Sequence, residues 1–329
     1  MATYSSIKGA AVQTLASNSD NQGQIWYDTA SDPFKLQKYN AASWASGGSR
    51  SNNTFRGAGF GTTTDAVSSG GTQTPPLPAG AINTVTEVYN GTSWTSGTAA
   101  PLNLGYVTAG GTSSAGIVNT GESPPGSGTT TIEYASGTWT SGGTQTYASQ
   151  NAIGAGLQND YIQTGGVFQP SYSPMNDAQK YDGTSWTSIT VYPVSNAKGG
   201  AAGTSAGAFF YGGDNPSSQT LCNDWSGSAW TSAPAIPTAS NGMAQNNGGP
   251  VTAALNACAG SSTTCLLYNG TSWSTDAAAS NASPDGLSGA GTGTLATAGL
   301  LKWGSPGSNS LLVEEYSGAG VTSATITTS

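Results

Sequence analysis

One short phrase, met seven times along the chain, restricts the possible folds more than any other feature of the sequence. It consists of an aromatic residue, a turn pair and a Trp five residues after the aromatic. The first copy reads Tyr39-Asn40-Ala41-Ala42-Ser43-Trp44. Others run from Tyr89 to Trp94, Tyr134 to Trp139, Tyr181 to Trp186, Trp225 to Trp230 and Tyr268 to Trp273. The seventh, Tyr316-Ser317-Gly318-Ala319-Gly320-Val321, has lost its Trp. A period of roughly 47 residues is the mark of a stacked supersecondary unit, and 329 residues hold seven of them.

Each phrase reads as a hairpin. Asn-Gly, Asp-Gly and Ser-Gly accept the positive φ angles of tight turns. The alternation in Val85-Thr86-Glu87-Val88-Tyr89 gives a strand with one buried face. The Tyr and Trp flank the turn, placed to pack across it or against the next unit. Two further short runs lie upstream in each copy, for example Gly57 to Thr62 and Asp65 to Gly71. The first of these is rich in small residues, as inner strands crowded around an axis require. Helix-rich folds are excluded, because the residues that fill helices are scarce: only 7 % of the chain is charged. The expectation is an all-β, seven-bladed β-propeller with four antiparallel strands per blade. It forms a single domain over 1–329, with blades near 1–48, 49–98, 99–143, 144–190, 191–234, 235–277 and 278–329.

These residues resemble the kelch-like β-propeller family, whose repeat pairs a di-glycine at the end of its second strand with a later Tyr and Trp. The di-glycine is present as Gly70-Gly71, Gly165-Gly166 and Gly212-Gly213. It is degraded to Ala259-Gly260 and Trp303-Gly304. The variant phrase Tyr-Asn-Gly-Thr-Ser-Trp-Thr is also similar to tandem repeats of bacteriophage structural proteins, marine phage among them. That second resemblance implies a virion protein.

Up-and-down strands sort the loops onto two faces. The strand 3–4 turns and short strand 1–2 turns form a plain face. The strand 2–3 and 4–1 loops form an elaborated face, with Thr72 to Gly80, Val167 to Asn176, Arg50 to Arg56 and Thr190 to Val194. Long loops on a rigid scaffold are where binding residues concentrate. Phe55, Arg56, Phe168, Tyr172 and Tyr192 are therefore the expected binding residues, and both arginines are expected on this face.

Catalytic chemistry is poorly supplied. The chain has no His, so the copper site of galactose-oxidase-like propellers and His-based nucleophilic triads cannot form. Two arginines are too few for the sialidase cluster, although Asp182-Gly183-Thr184-Ser185-Trp186 is similar to a shortened sialidase Asp-box turn. Glu87, Glu133 and Glu314 fall on third strands of different blades, which argues against a paired-carboxylate glycosidase. Asn40, Asn90, Asp182 and Asn269 share one turn position, where turn formation accounts for them better than calcium. No metal and no cofactor are expected. Cys222 and Cys265 occupy matching strand positions. A Cys258–Cys265 bridge across neighbouring strands is conceivable, but buried thiols are the expectation.

A net charge of −8 opposes nucleic-acid binding, and no apolar run has membrane-spanning length. The segment Met1 to Lys8 lacks the apolar core of a secretion signal. The resulting expectation is a non-enzymatic bacteriophage virion protein, made in the host cytoplasm and carried on the tail or an appendage. Its partners would be other virion proteins and a host-surface glycan or protein. A capsid decoration protein is the alternative, and a glycosidase-like propeller the third reading.

Overall fold

The computed structural model describes residues 13–15, 25–28, 35–73, 81–119, 121–123, 126–168, 171–239, 251–252, 254–257, 262–280, 288–290, 301–303 and 311–325. Everything regular among them is β-strand, and no helix there is long and apolar enough to cross a membrane. The chain divides into two units. Residues Trp44–Ser317 form one; Met1–Ser43 with Gly318–Ser329 form the other.

Within Trp44–Ser317 the described residues make six sheets with a common order. The first runs Ala58–Thr62, Asp65–Ser69, Thr86–Tyr89, Trp94–Ser96. The second is Thr108–Thr112, Ala115–Asn119, Thr131–Ala135, Thr138–Ser141. The third is Ile153–Leu157, Asp160–Thr164, Ala178–Tyr181, Trp186–Ser188. The fourth is Gly200–Thr204, Gly207–Tyr211, Cys222–Trp225, Trp230–Ser232. Three strands of the fifth are described: Ala254–Ala257, Cys265–Tyr268 and Trp273–Asp276. The sixth joins Ser288–Ala290, Leu301–Trp303 and Val313–Ser317 to Ser43–Ser46 from the other end of the chain. The first strands of sheets six, one, two, three and four stand side by side in that order. Sheet six therefore adjoins sheet one directly.

The first and last phrases depart from the expected one-hairpin-per-copy pattern. The first and seventh phrases are not hairpins; each is split between the two units. Tyr316 packs on Trp44, with ring centroids 5.3 Å apart, as the intact phrases pair their aromatics at 4.8–5.1 Å. Trp44 thus supplies the Trp that the seventh phrase lacks. The remaining halves meet elsewhere: Tyr39 lies opposite Val321 in a sheet of Gln13–Leu15, Ile25–Asp28, Lys35–Asn40 and Gly320–Thr325. That sheet contains a parallel pair, Gln13–Leu15 beside Ile25–Asp28. Locally, the first phrase has no Gly between Tyr39 and Trp44, whereas Gly91, Gly137, Gly183, Gly227 and Gly270 turn the five intact phrases at φ of 88–99°.

Among the described residues, a recurring backbone bond follows the fourth strand of each of these six sheets. The N–H of Arg50, Ala100, Gln145, Tyr192, Ile236 and Ala279 donates, at 2.8–3.0 Å, to the carbonyl of Leu311, Thr84, Thr129, Asn176, Thr220 and Thr263. All six donor residues are buried, because each chain leaving a fourth strand turns inward at this point. Arg50 and Tyr192 are thereby removed from the elaborated surface where they were expected.

The phrase aromatics join neighbouring sheets. Trp139, Trp230, Trp273 and Trp44 donate Nε1–H, at 2.8–3.0 Å, to carbonyls of the preceding sheet: Thr98, Thr190, Pro234 and Ala277. The tyrosines donate in the same direction. Tyr181 Oη reaches Glu133 at 2.6 Å, Tyr316 Oη reaches Asp276 at 2.6 Å, and Tyr89 Oη reaches Glu315. Burial, reinforced by donation to the carboxylates, pushes Tyr89 and Tyr181 up to about 12 from an ordinary 10.0. Above pH 10 the unfolded chain loses these phenolic protons while the native state keeps them, so stability falls as pH rises. Urea midpoints are expected to be level up to about pH 9 and to fall between about pH 10 and 12. Tyr89→Phe should make that fall shallower; an unchanged slope would contradict the assignment.

Three of the four expected turn residues fill that position, whereas Asn40 ends the strand Lys35–Asn40 opposite Gly320, because its phrase is split between two sheets. Asn90, Asp182 and Asn269 each accept, through Oδ1, the two backbone N–H groups two and three residues ahead, at 2.8–3.0 Å. Those two hydrogen bonds hold the Asp182 carboxyl below its ordinary pKa. Cys222 and Cys265 are buried, and each donates Sγ–H to the carbonyl two residues before it. Burial pushes the Cys222 thiol up to about 12. Cys258, Ala259-Gly260, Gly304 and residues 74–80 lie outside the described residues.

Candidate functional site

Five residues on the elaborated face share a rare backbone state, Tyr172 at φ 52° and four others that form a series. Arg56, Tyr106, Asn151 and Lys198 each lie two residues before a first strand, in sheets one to four. All four are left-handed, with φ of 59, 56, 54 and 58°. They are linked in series: Lys198 N–H donates to Asn151 O, Asn151 N–H to Tyr106 O, and Tyr106 N–H to Arg56 O, each at 2.9 Å. This ladder runs from sheet to sheet where the chain enters each first strand. Arg, Tyr and Lys seldom adopt that conformation, which costs on the order of 1–3 kcal/mol each.

The di-glycines hold the adjoining layer. Gly165 and Gly166 have φ of 62 and 97°, and Gly166 N–H donates to Asn196 O of the next sheet at 2.8 Å. A Cβ on Gly165 would lie 2.2 Å from that same oxygen, so no other residue fits. Gly70-Gly71 repeats the arrangement against Leu104. The expected kelch-type di-glycine is therefore a junction between sheets.

The four left-handed residues, with the strand 2–3 loops of sheets three and four, enclose a cleft of about 450 Å³. Its other lining residues include Gln150, Tyr172 and Asp214. The Arg56 guanidinium lies over the rings of Phe55, at 5.0 Å, and Tyr106, at 4.7 Å. Lys198 Nζ is 3.5 Å from Asp214 Oδ2, and the Ala197–Asp214 bridge holds the two loops together. Gln150 pairs through its backbone with Val167, at the root of the hairpin that carries Tyr172. Its side chain is buried, and its Nε2 has no hydrogen-bond partner among the described residues.

Of the five expected binding residues, Arg56 and Tyr172 line the cleft, Phe55 supports Arg56, and Phe168 is exposed on the Tyr172 hairpin. Tyr192 is the exception. Its ring packs against Trp230 at 4.9 Å and Phe210 at 5.9 Å, and its Oη accepts from Asn223 Nδ2 at 2.9 Å. The sequence reading missed Tyr106, Asn151 and Lys198. Aligning the copies on Gly61, Gly111, Gly156 and Gly203 brings these three into register with Arg56. Glu87 and Glu314 accept from the backbone N–H groups of Ser51 and Ser280.

No protein-family model and no curated protein sequence matches the chain. Among solved structures, it is similar to that of YjhT, a kelch-repeat β-propeller, with a TM-score of 0.62 and 11 % identity. The match covers 83 % of this chain and 99 % of YjhT. The fold is a kelch-like β-propeller. The share matched is close to the fraction of the chain between Trp44 and Ser317. In this kelch-like propeller the cleft lies on the face of the strand 2–3 and 4–1 loops.

The strain at Lys198 carries its own prediction. Lys198→Gly relieves the left-handed backbone at some entropic expense in the unfolded chain, for a net gain of about 1 kcal/mol. A higher urea midpoint checks it; an unchanged or lower one would show that the conformation carries no strain.

Proposed function

We propose that this propeller is a non-catalytic recognition module of a bacteriophage particle, carried on the tail or an appendage. It binds a host-surface glycan or protein through the cleft formed by Arg56, Tyr106, Asn151 and Lys198. The observation that carries this reading is the ladder of left-handed residues. Four consecutive sheets spend conformational strain on presenting polar and aromatic side chains at one place, as binding sites do. Tyr, Asn, Arg and Lys around a cleft suit adaptable hydrogen bonding and stacking. The phage-like phrase supports the virion setting. Among the described lining residues Asp214 is the only carboxylate, and its pairing with Lys198 favours binding over two-carboxylate hydrolysis.

A capsid decoration protein is the second reading, favoured by Phe168 and Tyr172, which expose 46 % and 61 % of their surface and suit docking on another protein. Gold-labelled antibody to this chain, applied to purified particles in the electron microscope, separates the two. Label at the tail or fibre tips is the expected result. Label spread over the head would move the protein to the shell, and unlabelled particles would refute the virion setting.

A further inference from the structure

We infer that Asn90 and Asn269 are sites of self-modification, where the backbone nitrogen of the following glycine displaces the side-chain amide and leaves aspartate or isoaspartate in the turn. The inference concerns strand 3–4 turns of the plain face and is independent of the cleft and its reading. It rests on three copies of one turn that differ in a single functional group.

The first observation is which groups stand next to each other. Asn90 is followed by Gly91 and Asn269 by Gly270, and both asparagines are exposed. The two glycines lie at φ of 88° and carry no side chain to crowd an approach to their nitrogen. Among the described residues, no hydrogen bond takes the N–H of either glycine.

The second observation is what surrounds the side-chain oxygen. Asn90 Oδ1 accepts from Thr92 N–H at 3.0 Å and from Ser93 N–H at 2.9 Å. Asn269 Oδ1 accepts from Thr271 N–H at 2.9 Å and from Ser272 N–H at 2.8 Å. Attack on Cγ pushes an electron pair onto this oxygen, so both donors already face the place where negative charge develops. The third copy shows what these donors do to such charge. Asp182 accepts from Ser185 N–H at 2.8 Å and Thr184 N–H at 2.9 Å, and those bonds hold its carboxyl below the ordinary value.

The step balances with water alone. The Gly91 nitrogen gives its proton to hydroxide and bonds to Asn90 Cγ; the Cγ–Nδ2 bond breaks, and Nδ2 takes a proton from water and leaves as ammonia. One water then opens the resulting five-membered imide. Cleavage at Cγ gives aspartate, and cleavage at the backbone carbonyl gives isoaspartate. Either product adds one negative charge. Asp182, kept ionised by the same donors, has no comparable leaving group and stays unchanged. Ser136-Gly137 and Ser226-Gly227 offer no side-chain carbonyl, and Asn40, followed by Ala41, ends a strand. The aspartate product reproduces the Asp182 turn. Isoaspartate lengthens the backbone between Tyr89 and Trp94, whose ring centroids are 5.0 Å apart.

The experiment holds the full chain in mildly alkaline buffer, native and in urea, and follows each asparagine by peptide mapping, with isoaspartate identified by electron-transfer fragmentation. Asn90 and Asn269 are expected to convert before the other asparagines of the described residues. Conversion should be at least as fast in the native chain as in the unfolded one, and Asp182 should yield no isoaspartate. Gly91→Ala should slow conversion at Asn90 about ten-fold or more and leave Asn269 unaffected. Asn90→Asp should keep the wild-type urea midpoint, because Asp182 fills the same position with the same bonds. No conversion at either asparagine, slower conversion in the native chain than in urea, or isoaspartate at Asp182 at a similar rate would overturn the inference. The native-against-urea comparison needs no variant, so it stands even if Gly91→Ala disturbs the turn.

Discussion

Glu87→Ala is expected to lose about 3–5 kcal/mol of stability, more than Arg50→Ala, with the difference read from urea midpoints. The asymmetry follows from who satisfies whom. Glu87 is 2 % exposed and accepts from Arg50 Nε at 3.2 Å, from Ser51 N–H at 2.8 Å and Oγ–H at 2.6 Å, and from Asn52 N–H at 3.3 Å. Removing it takes the carboxylate from the buried Arg50 and an acceptor from Ser51 and Asn52 at once. Removing Arg50 leaves the Glu87 carboxylate with its Ser51 and Asn52 donors intact. Arg50 itself is under tension: burial pulls it down to about 10 from 12.5, against the opposing attraction of Glu87. It remains charged at neutral pH, so the loss of Glu87 is felt in full. The two residues share one network, so the double variant should cost less than the sum of the singles. A loss below about 0.5 kcal/mol for Glu87→Ala, the range of ordinary surface changes, would contradict this account.

Tyr192→Ala should likewise lose about 3–5 kcal/mol, the usual range for truncating a large buried aromatic side chain. Its ring is fully buried between Phe210 and Trp230, and the Asn223 amide depends on its Oη. Tyr192→Phe isolates the hydrogen bond and should cost about 1–2 kcal/mol, since it leaves Asn223 Nδ2 without that acceptor. Neither variant should alter ligand binding once folded. A stable Tyr192→Ala protein with lost binding would restore Tyr192 to the recognition surface and refute its place in the core.

The fold was largely written in local sequence because its determinants are local. Gly91 and Gly183 turn hairpins within a few residues of the Tyr and Trp they bring together, and Asn90 and Asp182 bond to backbone two and three residues on. The di-glycines were recognisable because their φ angles admit almost nothing else. What escaped was non-local. Trp44 and Tyr316 are brought together by the closing strand of sheet six, and no local pattern distinguishes a split phrase from an intact one. Tyr192 precedes Pro193 in a segment with no strand pattern, which reads as surface; its burial comes from the inward turn repeated after every fourth strand. The cleft was half legible. Arg56 and Tyr172 stand out as unusual residues in long loops, while Tyr106, Asn151 and Lys198 share only a conformation with Arg56. Left-handed backbone at a non-glycine residue leaves no mark in sequence until the copies are aligned.

The central claim is that recognition belongs to the cleft and not to the plain face of the propeller. The direct measurement is binding of fluorescently labelled protein to host cells, comparing wild type with two variants of unchanged fold. One is Arg56→Gln combined with Lys198→Gln in the cleft. The other is Thr184→Glu in an exposed strand 3–4 turn of the plain face. Wild type and Thr184→Glu should bind equally, and the cleft variant should lose at least ten-fold in affinity. Equal binding by all three proteins, or a loss confined to Thr184→Glu, would contradict the account.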